Sequence, residues 1–168
     1  MYKTILLPSD FSIQSLNLLI TVLKEQEGKK LKIILGQGFR LSSSIIELLF
    51  FSRSRIINTL TSEEFREALQ IIKSKYESQI QDVRIEPFYG VTQNAFDIYA
   101  ESNCIDEVFV FDGYEPQCSH TDCFDITPFL RKAKVQINSV TFNSVKFERK
   151  GREIFTDLSF SKLSRYNQ

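Results

Sequence analysis

The sequence is short of several residue types, and each shortage narrows the classes of protein that remain open. It has no tryptophan, one methionine, one histidine and three cysteines among 168 residues. Its 21 basic and 21 acidic side chains balance, so no overall field attracts nucleic acid or an anionic membrane. We therefore expect neither nucleic acid nor a membrane as a partner.

Long hydrophobic runs are also absent. The apolar stretch near the N-terminus is interrupted at Pro8 and Asp10, which makes it too short for a signal sequence. No later run approaches the roughly 20 apolar residues that a helix needs to span a bilayer. The expected location is the cytoplasm, where an odd number of cysteines favours free thiols over structural disulfide bonds.

The single histidine, His120, limits the chemistry that the sequence suggests. It lies in residues 112–127, DGYEPQCSHTDCFDIT. This segment contains zinc-binding residue types, but its spacing matches no zinc knuckle, ribbon or finger, and no second Cys/His pair completes a tetrahedral site. No Ser-His-Asp or Cys-His arrangement follows from it either. We expect a polar surface loop, no bound metal and no catalytic activity; whether Cys118 and Cys123 pair reversibly stays open.

What the sequence does contain is an alternation of apolar runs and amphipathic helices. Five strands are predicted, at residues 3–8, 31–36, 83–90, 107–111 and 134–142. Helices are predicted between them, with starts at Ser12, at a Thr61–Glu64 capping box, at Thr92 and at Thr127–Pro128. Residues 37–60 are apolar without a clear period and could form one irregular helix or two short ones. The predicted class is α/β, a five-stranded parallel sheet with helices on both faces.

The end of the chain is expected to differ from this core. Strand 134–142 is interrupted by an Asn-Ser pair, which favours an edge position where the strand could pair with a partner. Beyond it, two alternating runs around a Lys-Gly pair predict a β-hairpin. We therefore divide the chain into an α/β domain, 1–142, and a C-terminal extension, 143–168, that packs on the same domain or on its dimer partner.

Two stretches of the core, ILLPSDFSIQSLNLL (5–19) and GVTQNAFDIYAESNCIDEVFVFDG (90–113), resemble the universal stress protein family. The first is similar to the family's opening strand, which ends in a P-x-D-x-S turn. The second is similar to its passage through a helix into the fourth strand. The resemblance implies a nucleotide-binding-like (Rossmann-like) fold and a homodimer formed through the last core strand. It also implies a role in a stress response, exerted by association with a protein partner that the sequence does not identify.

Members of this family that bind ATP carry the pattern G-x2-G-x9-G-[ST] after the fourth strand. Here the pattern places Gly113 at the first glycine, Pro116 at the second, Ile126 at the third and Thr127 at the closing hydroxyl. Pro116 has no N–H, and Ile126 puts a branched side chain where bare backbone would approach a phosphate. The comparison therefore implies no ATP binding in the family's manner and no cofactor.

An alternative stays open, in which the chain is a regulatory protein that binds an adenine nucleotide. Asp10 stands where the family's first-turn aspartate helps to hold the adenosine part of the ligand, and Thr127 keeps the hydroxyl. The candidate nucleotide-binding residues are then Pro8, Asp10, Gly113 and Thr127, with a remodelled loop 112–127. In the competing interpretation Asp10 is a turn residue that helps Ser12 to cap the first helix, and Thr127 is an N-cap.

Overall fold

A computed structural model describes residues 2–141 of the chain. Within this range the strands are β1 (Tyr2–Pro8), β2 (Lys30–Gly36), β3 (Gly38–Phe39), β4 (Ile80–Ile85), β5 (Glu107–Asp112), β6 (Cys123–Phe124) and β7 (Gln136–Thr141). The helices are α1 (Leu16–Glu25), α2 (Ile45–Leu49), α3 (Arg53–Leu60), α4 (Glu63–Lys75), α5 (Gln93–Ser102) and α6 (Thr127–Leu130). None of these helices is long and apolar enough to cross a membrane. The hairpin predicted in 143–168 lies outside the described residues.

Five strands form one sheet in the order β4–β2–β1–β5–β7. Every neighbouring pair is parallel. The central strand β1 pairs with β2 along its whole length, from Tyr2 opposite Lys30 to Pro8 opposite Gly36. The predicted five-stranded parallel sheet is confirmed, and β7 occupies an edge of the sheet, as the polar residues in its sequence indicated.

Helices cover both faces of the sheet, and each face has its own apolar core. Successive side chains of a strand point to opposite faces. Ile5 and Leu7 of β1 therefore pack on the face of α1 and α4, whereas Leu6 packs on the face of α5 and α6. Phe65 of α4 and Phe96 of α5 are fully buried in these two cores. Because the central strands are covered on both faces, their sequences are almost continuously apolar, which is why they could be recognised.

The first helix begins at Leu16, four residues later than the predicted cap at Ser12. The intervening residues form a tighter turn, in which the Ser15 N–H donates to the Ser12 carbonyl at 3.2 Å. The Ser12 hydroxyl accepts a hydrogen bond from the same N–H at 3.2 Å. Ser12 thus organises the turn before the helix rather than the helix itself.

The predicted capping box at Thr61 is displaced by one residue. Ser62 is the N-cap of α4, and its hydroxyl accepts from the Phe65 N–H at 3.1 Å. The Thr61 hydroxyl instead donates to the Ile57 carbonyl of α3 at 2.7 Å. Two adjacent hydroxyl residues could each cap this helix, and the end of α3 decides between them, because Thr61 is the C-cap of α3. The predicted cap of α5, Thr92, is confirmed.

Strand β4 corresponds to the third predicted strand, 83–90. It both begins and ends earlier than predicted, at Ile80 and Ile85. Its first residue is Ile80, directly after Gln79. The Gln79 side chain fixes this point, since its Nε2 donates to the Leu23 carbonyl at 2.7 Å and ties the end of α1 to the start of β4. Residues 86–88 leave the sheet, and only Phe88 keeps a bridge, to Gly38.

Candidate functional site

The candidate site lies at the carboxyl end of the sheet, between β1 and β5. From these two strands the sheet extends outward in opposite directions, to β2 and β4 on one side and to β7 on the other. Such a switch point is where open α/β sheets bind ligands. The loops that follow β1, β2 and β5 meet at this edge, so the predicted site residues lie in one region.

Asp10, the predicted ligand-binding aspartate, is buried and bonded to its own chain. Only 3% of its surface is exposed. Its Oδ1 accepts from the Ser12 N–H at 3.0 Å. Its Oδ2 accepts from the Tyr114 hydroxyl at 2.6 Å and from the Gln117 N–H at 2.8 Å. Asp10 therefore acts both as a turn residue beside Ser12 and as the anchor for the loop that follows β5.

Tyr114 is a residue of the candidate site that the sequence did not single out. Its hydroxyl contacts Asp10 and also lies 3.1 Å from the Ser12 hydroxyl, and its ring packs on Phe111. Burial and the hydrogen bond to Asp10 raise the pKa of Tyr114 above its usual range, which keeps the phenol protonated as a donor. The Asp10–Tyr114 contact joins residues 104 positions apart. A pattern in the local sequence cannot predict a pair that is so distant along the chain.

Gly113 makes the turn that returns this loop to Asp10. Its φ of 81° is in the left-handed region, which favours glycine. A Cβ at this position would meet no atom within 4 Å, so the constraint is the backbone conformation rather than space. Gly113 thus has a structural role that does not depend on a ligand.

Thr127 donates both of its hydrogen-bond donors to one carboxylate of its own chain. Oδ1 of Asp125 accepts the Thr127 hydroxyl at 2.6 Å and the Thr127 N–H at 2.9 Å. The prediction that Thr127 is an N-cap is wrong by one residue, because Ile126 holds the cap position and Thr127 begins α6. A carboxylate therefore already takes the donors that a phosphate would use at this position.

Ile126, at the third glycine position of the ATP pattern, belongs to the apolar core. It is 1% exposed and packs in the same cluster as Leu6 and Ile34. Its Cδ1 comes so close to Gly36 that a Cβ on that glycine would lie 3.3 Å away. A core side chain fills the space where the ATP pattern requires bare backbone.

Pro8 and Thr127 line one small cavity, together with Tyr114 and Pro116. Its volume is about 10 Å³, near the lower limit for a single water molecule, whereas small-molecule sites usually measure hundreds of Å³. The structure thus brings Pro8 and Thr127 together and connects Asp10 to them through Tyr114. In this conformation loop 112–127 occupies the predicted site.

Gln37, in the turn after β2, is a second site residue that the sequence analysis missed. It is 3% exposed. Its Nε2 lies 3.8 Å from the Cys118 sulfur, and its Oε1 has no hydrogen-bond partner in residues 2–141. A buried carbonyl oxygen without a donor destabilises the fold. A polar residue directly after a buried strand was the available signal.

The cysteines and the histidine of the loop have local structural partners. All three cysteines are free thiols. Burial raises the pKa of the Cys118 thiol, and it raises that of Cys123 to about 11, which keeps both sulfurs protonated near neutral pH and weakly nucleophilic. His120 Nδ1 accepts from the Asp122 N–H at 3.2 Å. In the described part of the chain no three His, Cys, Asp or Glu side chains converge to hold a metal ion.

The strand order, the helices on both faces and the loops at the switch point define a nucleotide-binding-like α/β domain of the Rossmann-like class. Comparison with solved structures narrows this class. A universal stress protein from Lactobacillus plantarum matches with a TM-score of 0.53 and 12% identity, over 83% of this chain and 97% of that chain. A universal stress protein family member from Arabidopsis thaliana, with AMP bound, matches with a TM-score of 0.50 and 10% identity, over 88% of this chain and 96% of that chain.

This chain therefore has the universal stress protein fold, as the resemblance of its first and fourth strands implied. No family model and no curated protein matches the sequence.

Proposed function

We propose that this chain is a universal-stress-protein-like domain that acts in a stress response by association, with a second copy of itself and with a protein partner. It carries out no reaction and does not hold ATP in the family's manner. The observation that supports this proposal is the occupation of the candidate site by loop 112–127, which is fastened to Asp10 by two hydrogen bonds.

The groups that would contact the adenosine and the phosphates of ATP are already engaged. The carboxylate of Asp10 is bonded to three donors of its own chain, and the donors of Thr127 are bonded to Asp125. Pro116 offers no N–H at the second glycine position. Binding a nucleotide here would first require these bonds to break, and the acidic side chain of Asp125 would then face the phosphates.

Millimolar ATP with Mg²⁺ should leave the melting temperature of the purified protein unchanged. ATP at 100 times its dissociation constant would stabilise the fold by about 2.7 kcal/mol, which raises the melting temperature of a chain of this size by roughly 5–10 °C. Differential scanning fluorimetry measures the shift, and Mg²⁺ without ATP is the control. A rise that Asp10→Asn abolishes would contradict the proposal and favour a nucleotide-binding regulator.

The second candidate function is that of a regulatory protein that binds an adenine nucleotide through Asp10 and a rearranged loop 112–127. The buried Oε1 of Gln37, which has no donor within the described residues, favours it, because an adenine amino group would supply a donor. The Arabidopsis thaliana protein of the same fold has AMP bound. AMP should then raise the melting temperature, and Gln37→Leu should weaken its binding about tenfold. No shift with either AMP or ATP rejects this candidate.

The proposed homodimer uses the edge of β7 that pairs with no other strand of residues 2–141. Its polar residues include Asn138, whose buried Nδ2 has no acceptor within residues 2–141. Buried amide donors are normally satisfied, and a second β7 strand along this edge would bring backbone carbonyls within reach. The exposed backbone of an edge strand is itself a template for pairing with another chain.

Lysines on this edge strand should convert the dimer to a monomer. Ser139→Lys with Thr141→Lys places two charges on exposed positions of β7, and like charges on paired strands repel. Light scattering should give a dimer mass for the unchanged protein and half that mass for the variant. Ser102→Lys, at an exposed position of α5, is the matched control and should leave the mass unchanged. A monomer mass for the unchanged protein at micromolar concentration would contradict the proposal.

A further inference from the structure

Residues 41–51 form an exposed apolar surface, here called the 41–51 surface. Its large side chains are Leu41, Ile45, Ile46, Leu48, Leu49, Phe50 and Phe51. Ile45 and Leu49 are each 76% exposed and Phe50 is 71% exposed, and α2 contains no buried residue. A helix that is apolar on every side is normally buried. Single exposed apolar residues need no explanation, but a contiguous group of this size marks an interaction surface.

Contacts on its C-terminal side hold this surface against the sheet. The ring of Phe51 packs edge-on against Tyr89, with centroids 5.5 Å apart. Two residues later, Arg53 forms an ion pair with Glu86 and donates to the Ile85 carbonyl at 3.3 Å. These contacts place the 41–51 surface beside the carboxyl end of β4, the edge of the sheet opposite to β7.

Two exposed charges of opposite sign accompany the apolar side chains. Glu47 lies within α2, and Arg55 lies in the first turns of α3. Neither takes part in any of the ion pairs formed within residues 2–141. A carboxylate in the middle of the surface repels an anionic lipid, whereas a surface that carries both signs can be complementary to itself. In a contact with two-fold symmetry, if one residue of the first copy contacts a second residue of the other copy, the same pair also forms with the two copies exchanged.

We propose that the 41–51 surface is a self-association interface on which a second copy of this chain docks about a two-fold axis. The apolar side chains of the two copies cover each other, and Glu47 of each copy faces Arg55 of the other. Seven large apolar residues expose on the order of several hundred Å², which is comparable with the ~800 Å² per partner of a standard interface.

This interface is separate from the proposed β7 dimer and goes beyond it. The two edges of the five-stranded sheet lie about 19 Å apart, from four spacings of ~4.8 Å. A chain with two different two-fold interfaces forms even-numbered assemblies, of which a pair of β7 dimers is the smallest that uses both interfaces.

The first test measures the mass of the full-length protein by sedimentation and light scattering across the micromolar range. The mass of the unchanged protein should double as its concentration rises, and Leu49→Glu with Phe50→Glu should abolish the doubling. Ile98→Glu, at a position of α5 that is 55% exposed, is the matched control and should leave the doubling intact. Melting curves verify that each variant is folded.

The second test reverses the two charges. Glu47→Arg and Arg55→Glu should each weaken self-association about tenfold, because the two-fold interface contains the pair twice. Combining them should restore the association constant to within about twofold of the original. Only a contact between two copies predicts this recovery.

Three results would overturn the proposal. One is an equal mass for the unchanged protein and the Leu49→Glu, Phe50→Glu variant at every concentration. Another is binding of the unchanged protein to phosphatidylglycerol vesicles that is lost in the Leu49→Glu, Phe50→Glu variant, while the two proteins have the same mass in solution. That result would assign the surface to a lipid bilayer. The third is hydrogen-exchange protection of residues 45–51 that does not depend on protein concentration, which would assign the cover to the chain's own residues 142–168. Loss of the β7 dimer in the Ser139→Lys, Thr141→Lys variant bears on neither test, because those substitutions lie on the opposite edge of the sheet.

Discussion

Asp10→Ala is expected to lower the free energy of unfolding by about 3 kcal/mol at pH 7 and the melting temperature by about 10 °C. The substitution removes the acceptor for three donors, the Ser12 N–H, the Tyr114 hydroxyl and the Gln117 N–H. A hydrogen bond to a charged group contributes ~1.5–3 kcal/mol. The loss stays below the sum of three such bonds because the loop donors can turn toward water.

Urea unfolding measures this loss, and hydrogen exchange locates it. Residues 113–118 should exchange faster in the variant, because their loop loses its anchor. Asp112→Ala is the matched control, since Asp112 is exposed at the end of β5 and its loss should change stability by no more than ~0.5 kcal/mol. Equal stability of the Asp10→Ala variant and the unchanged protein would show that loop 112–127 is held by other contacts.

The sequence predicted the sheet well because the strands that matter most are the most buried. β1, β2 and β5 are apolar runs covered on both faces, and such runs are informative without any knowledge of their neighbours. Helix starts were less predictable, since Thr61 and Ser62 are both good caps. The choice between them depends on where α3 ends, because the Thr61 hydroxyl donates to the Ile57 carbonyl four residues earlier, and residues 37–60 show no clear period from which that end could be predicted.

The site divides in the same way between local and distant information. Residue chemistry alone predicted that Pro116 and Ile126 are incompatible with a phosphate loop. It did not predict the hydrogen bond between Tyr114 and Asp10, because that contact depends on two loops that only the folded sheet brings together. The bond from Thr127 to Asp125 is local, but Asx turns are too common for their presence to identify a site. The apolar residues of α2 lack a period because none of them is buried within the described chain.

Ile126→Gly is expected to lower the free energy of unfolding by about 4 kcal/mol, the largest loss that we predict for a single substitution. Ile126 is 1% exposed and fully surrounded by the core that covers α5 and α6. Deleting a buried side chain of this size leaves a cavity, which costs ~2–5 kcal/mol, and glycine adds ~0.5–1 kcal/mol of backbone entropy. Urea unfolding of the variant and of Ile126→Val, expected to lose only ~1 kcal/mol, measures the difference.

Restoring the glycine spacing should therefore not restore a nucleotide site. Pro116→Gly alone should lower stability by about 1 kcal/mol, mainly through the unfolded chain, because Pro116 is only half-buried. With Ile126→Gly added, the chain would carry all three glycines, yet Asp125 would still hold both donors of Thr127, and Tyr114 would still hold Asp10. Millimolar ATP with Mg²⁺ should give this double variant no rise in melting temperature. A rise of several degrees would mean that the two side chains, and not the internal hydrogen bonds, keep the nucleotide out.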